Sequence, residues 1–154
     1  MQNVRLGLDL ALKTGWAVKC GHCTLISGVW DFSNKAGDGA GIRFCRLEDK
    51  LNRLIVVHGV TRVAYELPGI FRSRAAGASV NGMVAIMQKV CEERKVPYEG
   101  FAPSTVKKHA TGNGRASKDD MVEAAKKAWP DQDMEDDNQA DALWILDISF
   151  REEK

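Results

Sequence analysis

Three carboxylates in this chain stand where a carboxylate is costly. Asp9 falls in the apolar run Leu6-Gly-Leu-Asp-Leu10, Glu66 closes Val63-Ala-Tyr-Glu66, and Asp141 lies inside Ala140-Asp-Ala-Leu-Trp-Ile-Leu146. An ionised carboxylate among apolar neighbours needs compensating positive charge. Singly, each has a plainer reading: Asp9 caps a turn, Glu66 sits at an exposed strand end, and Asp141 lies on a solvated helical stripe. Together they point to acids converging on divalent cations, because Mg²⁺ and Mn²⁺ are hard ions that prefer oxygen ligands. Such a centre requires no Ser, Cys or His nucleophile. His58 reads as a core or surface residue of a helix, and His109, in a basic helix, as a phosphate contact. Cys20-Gly-His-Cys23 has zinc-like spacing. No second Cys/His pair completes four ligands, so the expectation is a hairpin turn at Gly21-His22.

The elements must bring these acids together. Residues 4–10, 14–19 and 23–32 read as three strands joined by tight turns, an antiparallel meander. Residues 42–58 carry Phe44, Leu47, Leu51, Leu54, Ile55 and His58 at three- and four-residue steps, which predicts an amphipathic helix ended by Gly59. Residues 61–66 predict a fourth strand, 76–94 a helix, and 97–101 a fifth strand. Helices follow over 103–111, from the Ser117 cap through Trp129, and over 137–150. A meander followed by β-α-β-α units predicts an α/β domain spanning 1–154. Its five-stranded mixed sheet has helices on both faces. Paired neighbouring strands lie only ~5 Å apart, so pairing would put Asp9 beside Glu66.

In this order the motifs resemble those of the RuvC-type Holliday-junction resolvases. Gly7-Leu-Asp-Leu-Ala-Leu-Lys-Thr-Gly15-Trp-Ala-Val18 is similar to their first motif, and Val63-Ala-Tyr-Glu66 to their second acidic strand. Pro103-Ser-Thr-Val-Lys107-Lys108 and Thr111-Gly-Asn-Gly-Arg-Ala-Ser-Lys118 resemble their basic connection, and Asn138-Gln-Ala-Asp141-Ala-Leu143 their last helix. The resemblance covers residues 4–150. The first motif alone also fits other RNase H-like enzymes; the four in sequence are more specific.

The resemblance implies an RNase H-like fold, a symmetric homodimer and an endonuclease that cuts four-way DNA junctions by paired metal-dependent hydrolysis. It puts Asp9, Glu66 and Asp141 on the metal-binding acids, serving two Mg²⁺ or Mn²⁺ ions. Where the family has an Asp three residues before the last acid, this chain has Asn138, which offers a carbonyl oxygen without charge. Asp137, four residues before Asp141, shares roughly its helical face and would compensate. The shortened pattern with Asn138 points to a phage-type branch. Lys107 and Lys118 match basic positions close to the scissile strand, and Lys108, Arg115, Arg72 and Arg74 read as further backbone contacts. Phe71, just after the second acid, reads either as a base-stacking aromatic at the junction centre or as a buried residue. The small residues of 75–82 read either as a dimer contact or as core packing. Two other functions fit the same residues: a nuclease for forks or flaps, and, given Asn138, a junction binder without activity. A branch-migration motor as partner is left open.

The charge distribution agrees with a DNA substrate. The net charge is only +1 over 154 residues, but its parts differ. Residues 67–118 hold nine basic and three acidic groups, net +6, whereas 119–154 hold four basic and twelve acidic groups, net −8. No apolar run approaches the ~18–20 residues that cross a bilayer, and no secretory signal pattern opens the chain. A membrane partner is therefore not expected, and the cytoplasm is the expected compartment.

Overall fold

The structure, a computed structural model, describes residues 2–22, 24–71 and 73–151. Cys23 and Arg72 lie outside the described residues, and with them the Cys20–Cys23 spacing and the contact expected of Arg72.

β1 (Val4–Asp9), β2 (Lys13–Cys20) and β3 (Leu25–Asp31) form the antiparallel meander. Gly21 and His22 make the turn between β2 and β3. β4 (Arg62–Glu66) then pairs with β1 in parallel, and β5 (Tyr98–Phe101) with β4 in parallel. Parallel neighbours need crossovers. These are α1 (Ile42–His58) and α2 (Arg74–Arg94). Among the described residues the sheet has five strands in the order β3-β2-β1-β4-β5, which is the mixed sheet expected. α3 (Pro103–Thr111), α4 (Lys118–Ala128) and α5 (Asp137–Arg151) complete the chain.

Most boundaries follow the sequence signals. Gly59 ends α1 with φ 63°, a conformation glycine adopts at no steric cost. Ser117 and Asp120 form a capping box at the start of α4. α2 begins two residues earlier than its apolar pattern predicts, because the Ser73 side chain accepts a hydrogen bond from the Ala76 N–H at 3.1 Å. β3 begins later, at Leu25. His58 is exposed at the last position of α1, outside the core.

The two faces of the sheet are packed differently. Leu6 and Leu8 of β1 and Val63 and Tyr65 of β4 meet α1 and α2 in one large aliphatic core, with Leu47, Leu51, Met83 and Met87 buried between them. Alternate residues face α5, and where the helix crosses closest they are small: Gly7, Ala17 and Ala64. A Cβ added at Gly7 would stand 2.5 Å from the Ala142 carbonyl oxygen, and one at Gly15 would overlap the Asn138 carbonyl. Both glycines therefore let α5 lie almost against the sheet backbone, the close approach for which strand glycines are used. Buried Arg5, on this same face, donates to the Ser149 carbonyl at the far end of α5 and lies 4.7 Å from the Phe150 ring. Among the described residues no helix is long and apolar enough to cross a membrane.

Candidate metal centre

Strand alternation puts Asp9 on the α5 face, in line with Arg5 and Gly7. The parallel register pairs Leu8 with Tyr65, so the next residues, Asp9 and Glu66, end adjacent strands side by side. α5 comes down over them. Its contacts with Gly15 through Asn138 and with Gly7 through Ala142 bracket Asp141 and leave it little freedom to move away. As a result Asp9, Glu66 and Asp141 each offer a carboxylate oxygen within 4.8 Å of the others. These are the three acids the sequence singled out.

Their titration reflects the crowding. Asp9 is 9% exposed, and burial, followed by the charges of Asp141 and Glu66, holds its carboxyl well above the ordinary range. Burial, then Glu66 and Asp137, pushes Asp141 up to about 7. Burial also raises Glu66, against the lowering effects of a hydrogen bond with Asp9 and of the Lys107 charge. A buried cluster that resists ionisation fits a divalent cation: positive charge there replaces the protons that otherwise neutralise the cluster. Oxygen donors alone, with no sulfur or imidazole among the three, suit a hard divalent cation.

Of the other expected residues, Asp137, Asn138 and Lys107 lie near this centre. Asp137 opens α5, and its field reaches Asp9 and Asp141. Its carboxylate stands outside the close trio, 3.6 Å from the Lys118 ammonium. Asn138 lies one turn before Asp141, half-buried, with its carbonyl over Gly15. Lys107, on α3, is near enough for its charge to lower both Glu66 and Asp141. Lys118 is exposed at the start of α4. Lys108, Arg115 and Arg74 are exposed. A cleft of about 240 Å³ opens at the acids, with Asp9, Ala11, Glu66, Pro68, Phe71 and Pro103 among its walls. Phe71 is half-buried there and packs on Gly77 of α2. Gly82 is likewise filled by the Phe44 ring. Two members of the small-residue stripe are therefore used within the chain, and Ala75, Ala76 and Ala78 remain exposed.

Sequence reasoning missed two residues and gave a third the wrong partner. Ile70, next to Phe71, is fully exposed; an apolar residue in a Pro-Gly turn was its signal. Buried Gln139 donates to Ser27 Oγ at 2.9 Å and to the Asp133 carbonyl at 3.0 Å, and accepts from the Glu135 N–H at 2.6 Å. It ties the start of α5 to β3, and nothing local announced that. His109, expected on phosphate, instead turns inward: its Nε2 is 2.7 Å from Asp147 Oδ2.

The chain is similar over nearly its whole length to curated bacterial proteins. It is 27% identical over 146 residues to the crossover junction endodeoxyribonuclease RuvC of Rickettsia akari, covering 91% of this chain and 92% of the relative. It is 26% identical over 150 residues to the RuvC of Rhizobium etli, covering 94% and 89%. Its fold matches the structure of T. thermophilus RuvC in complex with Holliday junction substrate, with a TM-score of 0.78, 19% identity, and coverage of 94% of this chain and 90% of that one. No protein-family model matches the chain. The RuvC-type resemblance of the four motifs is borne out by these relatives, and the RNase H-like fold by the solved structure.

Proposed function

We propose that this chain is a structure-selective endodeoxyribonuclease that resolves four-way DNA junctions by paired, metal-dependent phosphodiester hydrolysis. The observation that carries the reading is the convergence of Asp9, Glu66 and Asp141 from two adjacent strand ends and α5, in a chain similar over nearly all its length to RuvC proteins.

Asp9, Glu66 and Asp141 are the residues to hold Mg²⁺ or Mn²⁺. Asn138 adds a carbonyl oxygen on the same helical face, and Asp137 adds negative field from the first turn. Divalent ions bound there would supply an activated water and neutralise charge on the leaving 3′-oxygen. The protein's own part is positioning. Lys107, whose charge reaches Glu66 and Asp141, orients the scissile phosphate, and Lys118 holds the flanking phosphate. Lys108, Arg115 and Arg74, all exposed, add phosphate contacts that read no sequence. Phe71, on the cleft wall, and Ile70, at the exposed tip beside it, are placed to stack against a base unpaired at the crossover. Two nicks in opposed strands call for two sites, hence a homodimer, for which exposed Ala75, Ala76 and Ala78 of α2 offer a close-packing surface. The whole chain acts as one nuclease domain, in the cytoplasm where its DNA lies.

The test compares a synthetic four-way junction, a fork and a linear duplex of the same sequence, each with Mg²⁺ or Mn²⁺. Paired, symmetrically placed nicks in the junction and little cutting of the others are expected. Preferential cutting of the fork would shift the reading to another branched substrate. Tight junction binding with no cleavage by any divalent ion would make the protein a binder.

A further inference from the structure

We propose that His109 is a positioning residue that acts through Lys107: its bond to Asp147 fixes the rotation of α3 and thereby holds the Lys107 ammonium beside the carboxylates. The inference rests on the function proposed above and deepens it.

α3 has nine residues, and only Val106 is buried. A helix that short is marginal by itself, so its orientation depends on tertiary anchors. Val106 and the partly buried Ala110, four residues on, make one narrow apolar stripe, and a small stripe alone leaves a helix free to roll about it. His109 is the second anchor. Its side chain is 12% exposed and its Nε2 stands 2.7 Å from Asp147 Oδ2 on α5. The ring also meets Trp144 edge to face, with centroids 5.9 Å apart. Trp144 is held in turn: its indole N–H donates to the Met121 carbonyl of α4 at 3.3 Å, and its ring packs on Trp129 with centroids 4.5 Å apart. Arg151 approaches the same Asp147 oxygen at 3.5 Å. Val106, His109 and Ala110 therefore pin α3 from one side; Pro103 at its start lines the cleft with Asp9 and Glu66, and Lys107, one turn on, is near enough for its charge to act on Glu66 and Asp141. His109 and Asp147 lie 38 residues apart, on the two helices whose relative position decides where Lys107 stands against Asp141.

The test is a double-mutant cycle read by Mn²⁺ affinity at pH 8, which needs no cleavage. His109→Phe keeps a ring against Trp144 but removes the bond; Asp147→Ala removes it from the other side; His109→Gln keeps an N–H donor. Lys107→Ala relieves repulsion of the cation and is expected to tighten Mn²⁺ binding about 3- to 10-fold. His109→Phe and Asp147→Ala are expected to tighten it in the same direction, and to add nothing in the Lys107→Ala background. His109→Gln is expected to restore the wild-type value. Wild-type Mn²⁺ affinity in both His109→Phe and Asp147→Ala, or an equal gain with and without Lys107, would overturn the proposal. Failure of the wild-type protein to bind Mn²⁺ at all would instead count against the metal centre itself.

Discussion

The two faces of the sheet do different work, and their residues differ accordingly. On the α1/α2 face β1 presents Leu6 and Leu8 to Leu47, Leu51, Met83 and Met87, a packing of large side chains that many aliphatic combinations would satisfy. On the α5 face the same strand presents Arg5, Gly7 and Asp9, and β2 presents Gly15 at the place where α5 crosses. The first face stabilises the fold. The second gives up side-chain volume so that a helix can bring one carboxylate to two others. Position on this face is set by backbone contact, with almost no tolerance for a methyl group.

The largest expected effect breaks the chemistry and spares the fold. Asp9→Asn should lower junction cleavage at least ~1000-fold, equivalent to ~4 kcal/mol of transition-state stabilisation, while gel-shift binding of the junction is retained. Above about pH 8, where the cluster is driven to ionise, the same variant should melt higher than wild type without divalent ions, since it cannot take on the repulsive charge. The next pair sets one face against the other. Gly15→Ala should displace α5 and reduce cleavage about 100-fold, as a misplacement of ~1 Å can. Leu51→Ala should cost about 2–5 kcal/mol of stability in denaturant titration and leave the rate per folded molecule near wild type. If Gly15→Ala cleaves normally, the close approach of α5 is not what places Asp141.

A third prediction concerns pH. The folded-state values of Asp9, Glu66 and Asp141 are raised, Asp141 from 3.8 to about 7. Between those two pH values the folded protein binds more protons than the unfolded chain, so metal-free stability should fall as pH rises from about 4 to about 7. A divalent cation bound by the three acids would remove that penalty. Saturating Mg²⁺ should therefore raise Tm by several degrees at pH 8 and by little at pH 5, measured by calorimetry. Equal shifts at both pH values would argue for binding elsewhere. The smallest effect belongs to the exposed track. Arg115→Ala should weaken junction binding by under about 1 kcal/mol and lower the salt slope by about one.

The sequence made the aliphatic face and the acids legible for separate reasons. Regular apolar spacing located α1, and Pro103 and Gly112 bounded α3, because helix periodicity and end signals are local. The acids stood out because ionisable groups in apolar runs are costly and so carry meaning. What placed them was not readable. Gly7 and Gly15 matter through the helix that crosses them more than a hundred residues later, and a strand glycine by itself does not say what approaches it. Ser73 moved the start of α2 by a single side-chain bond that apolar periodicity cannot register. Gln139 and His109 are polar residues whose partners, Ser27 and Asp147, lie 112 and 38 residues away. The basic middle segment suggested phosphate for His109; the fold gave it a carboxylate.

Mn²⁺ binding followed by electron paramagnetic resonance, for the wild-type protein and for Asp9→Asn and Asp141→Asn, tests the central claim most directly. Saturable binding by the wild type and its loss or severe weakening in both variants, with melting curves confirming that each is folded, is the predicted result. Undiminished Mn²⁺ binding by folded Asp9→Asn and Asp141→Asn would contradict a metal centre built from these three acids.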